Sequence, residues 1–368
     1  MKHMLKGACK GRMEEMMSYA QGMAAINLEM PDKIPRTEYS AHFHWKLVNA
    51  VCGLNVHEGS TAIEQQQASR AFIQQWDYGF FWNVLTGNSI FGDKKTDMGH
   101  AVYKESGSDF SLHMHQLFAD PEDVFNFDMD HEFGAHDPKA LTADYDDNFR
   151  RLCQLYPGCV NMTGIYVTCM SGLIDLMGWD TLLTAAGLDS HAFGSFINRY
   201  SRWISQYFES LARCSSPVVM IHDDIVWTGG PFLHPDFYRT YIFPNYKKLF
   251  RPLREAGKKI LFTSDGDYSL FLPDIADCGV SGFVLEPITD LKLAVEYFGQ
   301  THVLVGNVDT RVLLHGDRVS IEQEVRRCMD LGCSCPGFFL AVGNHIPPNT
   351  PVENALWYNE VYEKLSIR

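Results

Sequence analysis

Five stretches decide the fold: Val218-Val219-Met220-Ile221-His222-Asp223-Asp224, Ile260-Leu261-Phe262-Thr263-Ser264-Asp265-Gly266-Asp267, Phe283-Val284-Leu285-Glu286-Pro287, Val303-Leu304-Val305-Gly306-Asn307-Val308-Asp309 and Phe338-Phe339-Leu340-Ala341-Val342-Gly343-Asn344-His345-Ile346-Pro347-Pro348. Each begins as a short apolar run and ends in polar residues. Runs of this kind read as parallel strands buried on both faces. Most of the gaps between them carry amphipathic helical spacing, as in 236–256 and 320–331. Strand, polar end and helix in repetition predict an α/β fold, a distorted (β/α)8 TIM barrel. Chemistry then belongs at the C-terminal ends of the strands.

Working outward, 36–44 and 77–84 read as two earlier strands and 160–167 as a third, which brings the total to the eight that a closed barrel needs. Helices are expected over 45–52, 61–76, 144–155, 173–186 and 191–214. A methionine-rich helical extension occupies 1–30 and is expected to pack into the core. Residues 86–137 are irregular and rich in glycine and histidine. They read as an insertion over the C-terminal mouth of a single domain spanning 1–368. His113 and His115 are its only tight histidine pair, and no cysteine stands nearby to complete a zinc site. Arg36, Glu38, His42 and His44 either face the mouth or cap the helix that follows.

Several function classes are excluded by composition. The net charge is −14 and no basic stripe is visible, which argues against nucleic acid and against anionic membrane surfaces. No apolar run approaches the length of a membrane span, and the basic start lacks the apolar core of a secretory signal. Ten cysteines without a paired framework read as reduced thiols, so a cytoplasmic protein is expected. Cys333 and Cys335 precede the last strand, at the floor of the barrel, and are expected to be structural.

The strand ends hold acids: Asp223 and Asp224, Asp265, Glu286 and Asp309. Gly266 allows a sharp turn that aims Asp265 into the mouth, and Pro287 stops the strand behind Glu286. Alternation lets only one of Asp223 and Asp224 face inward. Carboxylates that converge repel one another, which raises at least one pKa and leaves a general acid. Some of these acids are alternatively helix caps. Rings also gather at the strand ends: Phe80, Phe81, Trp82, Tyr166, Trp227, Phe232 and Tyr268.

From about Pro31 onward the chain resembles the uroporphyrinogen decarboxylase superfamily. The resemblance rests on Gly306-Asn307-Val308-Asp309-Thr310, on Gly343-Asn344-His345-Ile346-Pro347-Pro348-Asn349-Thr350-Pro351 and on the 236–244 helix after Asp223-Asp224. Thr96-Asp97-Met98-Gly99-His100-Ala101 is similar to the corrinoid-dependent methyltransferase branch. The Arg-Gln-Ala-Gly-Arg motif of true decarboxylases is absent from Arg36-Thr37-Glu38-Tyr39-Ser40-Ala41-His42, and Phe81-Trp82-Asn83 lacks their aspartate. The His-x-Cys and later Cys that hold zinc in related methyltransferases are replaced by Thr263, Asp265 and Asn344.

The resemblance implies a methyltransferase that moves a methyl group from a small methylated substrate, an aryl methyl ether by preference, to the cobalt of a separate corrinoid protein. The alternatives are a uroporphyrinogen decarboxylase-type decarboxylase and a non-catalytic binding barrel. The residues expected to carry the reaction are Asp265, Glu286, His222, Asp224, Asn307 and His345. Substrate is expected at Trp227, Tyr268, Phe81, Tyr166 and His100. Any metal, zinc included, is expected on Asp265, Glu286 and His345, with His222 as a further ligand.

Overall fold

The computed structural model describes residues 18–96, 102–104, 107–109 and 117–368. Six parallel strands lie side by side in chain order: Thr163–Ile165, Val218–His222, Lys259–Thr263, Gly282–Val284, Val303–Val305 and Phe338–Phe339. Phe80–Phe81 pairs in parallel with Val160–Asn161, which leads into Thr163. Arg36 bridges to Tyr78 on one side and to Leu340 on the other, and so closes the ring. The six strands, the stave at 78–81 and the bridge at Arg36 make the eight expected positions. The first position is a single bridge because Pro35 precedes it and offers no N–H to a ladder.

Strand alternation sorts the side chains into two cores. Phe80, Val160, Met162, Val218, Met220, Leu261, Val284, Val303, Val305, Phe339 and Ala341 fill the barrel, joined by Ala25 and Ile26. Val219, Ile221, Phe262, Phe283, Leu304 and Phe338 face the surrounding helices. Ala25 and Ile26 come from the helix over 18–26, which seals the floor. Gly22 permits that approach, since a Cβ there would lie 2.1 Å from the carbonyl oxygen of Gly79. The described end of the methionine-rich segment is therefore core, and Met13, Met16 and Met17 lie outside the described residues.

Helix limits follow the sequence signals closely. Ala62–Gln75 starts at a capping box of Thr61 and Glu64. The helix expected over 173–186 is longer, Met170–Leu188, and kinks at Gly178. The 86–137 segment is placed in part. Its described flanks pack on the outer helices, with Phe91 and Phe133 against Trp203 and Phe127 against Phe196. No residue of 86–96 or 117–137 lines the cleft described below. Asp97, His100, His113 and His115, within the segment expected to cover the mouth, lie outside the described residues.

The open question at the first strand is resolved by packing. His44 caps the Trp45–Cys52 helix by accepting the Leu47 N–H on Nδ1 at 3.2 Å, and its Nε2 meets the Thr350 carbonyl at 2.9 Å. Arg36 is buried with its guanidinium 4.2 Å from the Trp76 ring and 4.7 Å from the Tyr362 ring. Glu38 accepts from Tyr358 Oη at 2.6 Å and from the Val342 N–H at 3.1 Å. His42 packs against Phe81. None of these four faces the mouth, and Tyr39 does.

Cys333 and Cys335 lie at the floor as expected, where their carbonyl oxygens accept from Arg368 at 2.9 and 2.8 Å.

Candidate active site

The mouth of the barrel holds a cleft of about 270 Å³ lined by Tyr39, Trp82, Tyr166, His222, Thr263 and Asp265, with Val284, Leu285, Glu286, Asn344 and His345. Each stave except the seventh delivers a residue to it. One wall is aromatic. The Tyr39 and Trp82 rings meet edge-on at 4.5 Å, Trp82 Nε1 donates to Tyr166 Oη at 3.1 Å, and Tyr166 meets the His222 ring at 4.7 Å. The opposite wall carries the acids.

His222 is buried with Nε2 3.2 Å from Asp224 Oδ1. The same Asp224 oxygen accepts the Asp265 N–H at 3.0 Å. Ser171 Oγ accepts the Asp224 N–H at 2.6 Å and lies 3.4 Å from His222 Nδ1. Ser171 stands in the first turn of Met170–Leu188, so this helix helps to place the His222–Asp224 pair.

Asp223 points the other way, as alternation requires. It accepts the N–H groups of Cys169, Met170 and Ser171 at 3.0, 2.7 and 2.6 Å, and the Tyr246 hydroxyl as well. A carboxylate at a helix N-terminus satisfies donors that would otherwise stay unpaired. Asp223→Asn loses the charge and part of that acceptor capacity. Thermal or denaturant unfolding is expected to show a loss of about 2 kcal/mol.

Electrostatics set the protonation pattern. Burial opposes charge on His222, but Asp224, Asp265 and Asp223 outweigh it and push its pKa up to about 9. Burial and then Asp224 raise Asp265 to about 6, against the pull of His222. Burial and then Asp265 raise Glu286 to about 8, while a hydrogen bond from Asn344 works the other way. Burial lowers His345 to about 4. At neutral pH the cleft therefore holds a cationic His222, a carboxylate at Asp265, a protonated Glu286 and a neutral His345. Asp265 is open to the cleft and still feels the low dielectric of the barrel mouth.

The turn that aims Asp265 is the one the glycine predicts. Gly266 sits at φ +96°, and a Cβ there would stand 2.7 Å from the Trp227 carbonyl oxygen. Gly266→Ala is expected to cost about 1–3 kcal/mol of stability, seen as a lower Tm, and to displace Asp265.

Six expected placements are corrected. Asn307 does not line the cleft. Its Nδ2 donates to the carbonyls of Glu286 and Thr289 at 3.1 and 2.9 Å and its Oδ1 accepts from Arg327 at 3.0 Å, so it holds the Glu286 loop from behind. Phe81 faces the helices and stacks on Tyr156 at 4.1 Å, because alternation from Phe80 puts Trp82 inside instead. Tyr268 is 0% exposed, with its hydroxyl donating to the Val284 carbonyl. Trp227, 48% exposed, packs with Trp179 and Phe232 on the hairpin of Val226–Trp227 and Gly230–Pro231, beside the cleft and not in it. The donors that converge within 4.8 Å are His222, Asp224 and Asp265, which displaces Glu286 and His345 from the expected metal set. Asp309 caps Thr310–His315 and pairs with Arg311, away from the mouth.

A thiolate zinc centre does not fit this mouth. Among the described residues no cysteine lines the cleft, which holds Thr263, Asp265 and Asn344. One nitrogen and two oxygens from His222, Asp224 and Asp265 make a harder donor set. Tyr39 is a cleft residue that the sequence reading misses, and Trp82 is one of the strand-end rings that it does not pick out as a substrate contact. Alternation from Phe80 could have found Trp82, while Tyr39 carried no signal beyond its nearness to the first strand.

The uroporphyrinogen decarboxylase (URO-D) family matches residues 146–365, more than half of the chain. The chain belongs to this family. It is 30% identical over 163 residues to a uroporphyrinogen decarboxylase of Thermus thermophilus, covering 44% of this chain and 46% of that protein. It is 26% identical over 174 residues to the one from Pelobacter propionicus, covering 47% and 49%. The chain thus spans about half the length of the curated relatives it matches. A methyltransferase from Methanosarcina mazei shares the fold, with a TM-score of 0.62 at 18% identity over 94% of this chain and 98% of that one. The expected family and barrel are borne out. Among the described residues, no helix is long and apolar enough to cross a membrane.

Proposed function

We propose that this chain is a methyltransferase that takes a methyl group from a small aryl methyl ether and passes it to the cobalt of a separate corrinoid protein. Membership of the family and the shared fold support methyltransferase or decarboxylase-type chemistry. One observation carries the choice between them: the cleft is lined by rings and by Asp265 and Glu286, with no Lys or Arg among its described residues. Uroporphyrinogen bears eight carboxylates, and a mouth that holds the Asp265 carboxylate and no Lys or Arg to receive them opposes such a substrate. The identity to uroporphyrinogen decarboxylases favours the decarboxylase reading, and the cleft opposes it.

The reaction breaks the bond between methyl carbon and ether oxygen. The carbon passes to the acceptor, and the electron pair stays on the oxygen as a phenolate. Glu286 supplies the proton that the oxygen needs. A phenol has a pKa of about 10, so a carboxylic acid near 8 can protonate the phenolate downhill. The carboxylate left on Glu286 faces Asp265, and their repulsion favours reprotonation. His222 favours the ionised form of Asp265, and Tyr39, Trp82 and Tyr166 hold the ring.

The test supplies a chemically reduced corrinoid with guaiacol-like ethers, betaine, methanol or uroporphyrinogen. Methylated corrinoid from the aromatic ethers is the expected product. Decarboxylation of the porphyrinogen without methyl transfer would overturn the proposal.

A further inference from the structure

We infer that the cleft is a charge filter within this donor class: it admits aromatic methyl ethers with an uncharged ring and rejects those that carry a ring carboxylate. The inference rests on the function proposed above and names its substrate more narrowly. The ether oxygen must reach Glu286, so the ring lies between the acids and the wall formed by Tyr39, Trp82 and Tyr166. The faces of these rings present negative π density.

The one cation at the cleft, among the described residues, is His222. Its Nε2 is 3.2 Å from Asp224 and its Nδ1 turns back toward Ser171, so its charge is already paired. Asp265 adds a second carboxylate. Nearby guanidinium groups are engaged elsewhere, Arg311 with Asp309 and Arg327 with Glu324. The Asn344 amide already serves Glu286, and other donors of the lining, the Tyr39 and Thr263 hydroxyls and the His345 ring, carry no positive charge to offset a carboxylate. A ring carboxylate would lose its water and meet like charge in exchange. An uncharged ring loses little water and gains the apolar wall.

Binding can be measured without any methyl transfer. Calorimetry at neutral pH would compare catechol with 3,4-dihydroxybenzoate, which is the same ring with a carboxylate. Catechol is expected to bind at least about tenfold more tightly, a modest effect for like charges at this range. The gap should narrow in Asp265→Asn. Equal or tighter binding of 3,4-dihydroxybenzoate would overturn the filter, as would an unchanged gap in Asp265→Asn.

Turnover separates the two ideas. If guaiacol and 4-hydroxy-3-methoxybenzoate methylate the corrinoid equally well, the filter fails and the methyltransferase stands. If catechol binds selectively and no ether is ever demethylated, the filter stands and the proposed reaction fails. If no ring compound binds and an alkyl donor is demethylated, the aromatic donor fails and the filter with it.

Discussion

Replacing Glu286 with Gln is expected to leave the fold intact and to lower methyl transfer by about 100-fold or more, the range for a lost general acid. Gln keeps the shape and the hydrogen bond to Asn344 but has no acidic proton. The pH profile identifies the cause. Burial, and then Asp265, hold the Glu286 proton up to about 8. The acid form predominates below that pH and is lost above it, so the wild-type rate should fall as pH rises through about 8. The same alkaline limb should vanish in Glu286→Gln. A full rate with an unchanged profile would remove Glu286 from the chemistry.

Asp265→Asn is expected to cost about 5- to 10-fold at neutral pH for a related reason. Its charge is one cause of the raised Glu286 pKa. Without it Glu286 gives up its proton at lower pH, and less acid remains at neutrality. The alkaline limb should move to lower pH, while the protein stays folded because Asp265 is open to the cleft. Asp265 itself takes up a proton near 6, but Glu286 stays protonated below that pH, so the loss of charge on Asp265 there removes no acid. The account predicts a profile with an alkaline limb and no matching acid limb above pH 6. Near-normal turnover by a well-folded Asp265→Asn, with the limb in place, would contradict it.

The barrel was legible because period-2 alternation and polar strand ends are local signals. Val218, Met220 and His222 face inward and Val219, Ile221 and Asp223 outward, and this follows from spacing alone. The acids Asp224, Asp265 and Glu286 were found the same way. Rings were harder. Trp82 enters the cleft and Phe81 does not, because Phe80 fills the barrel and alternation puts Trp82 on its face; three rings in a row do not themselves say which of them starts inside. Tyr268 looked exposed in a loop, yet its hydroxyl reaches the Val284 carbonyl and buries the ring. Asn307 lies in a motif of the family, and the motif holds a loop together there. A sequence shows which residues reach a strand end. Which of them touch one another depends on the tilt and closure of the whole barrel.

The most direct measurement follows the methyl group itself. Guaiacol labelled in its methyl carbon is incubated with the protein and a reduced corrinoid protein, and the label is traced. The account predicts label on the corrinoid in a one-to-one ratio with catechol formed, for wild type and far more slowly for Glu286→Gln. Label that stays on the ring, together with carbon dioxide released from uroporphyrinogen, would contradict it.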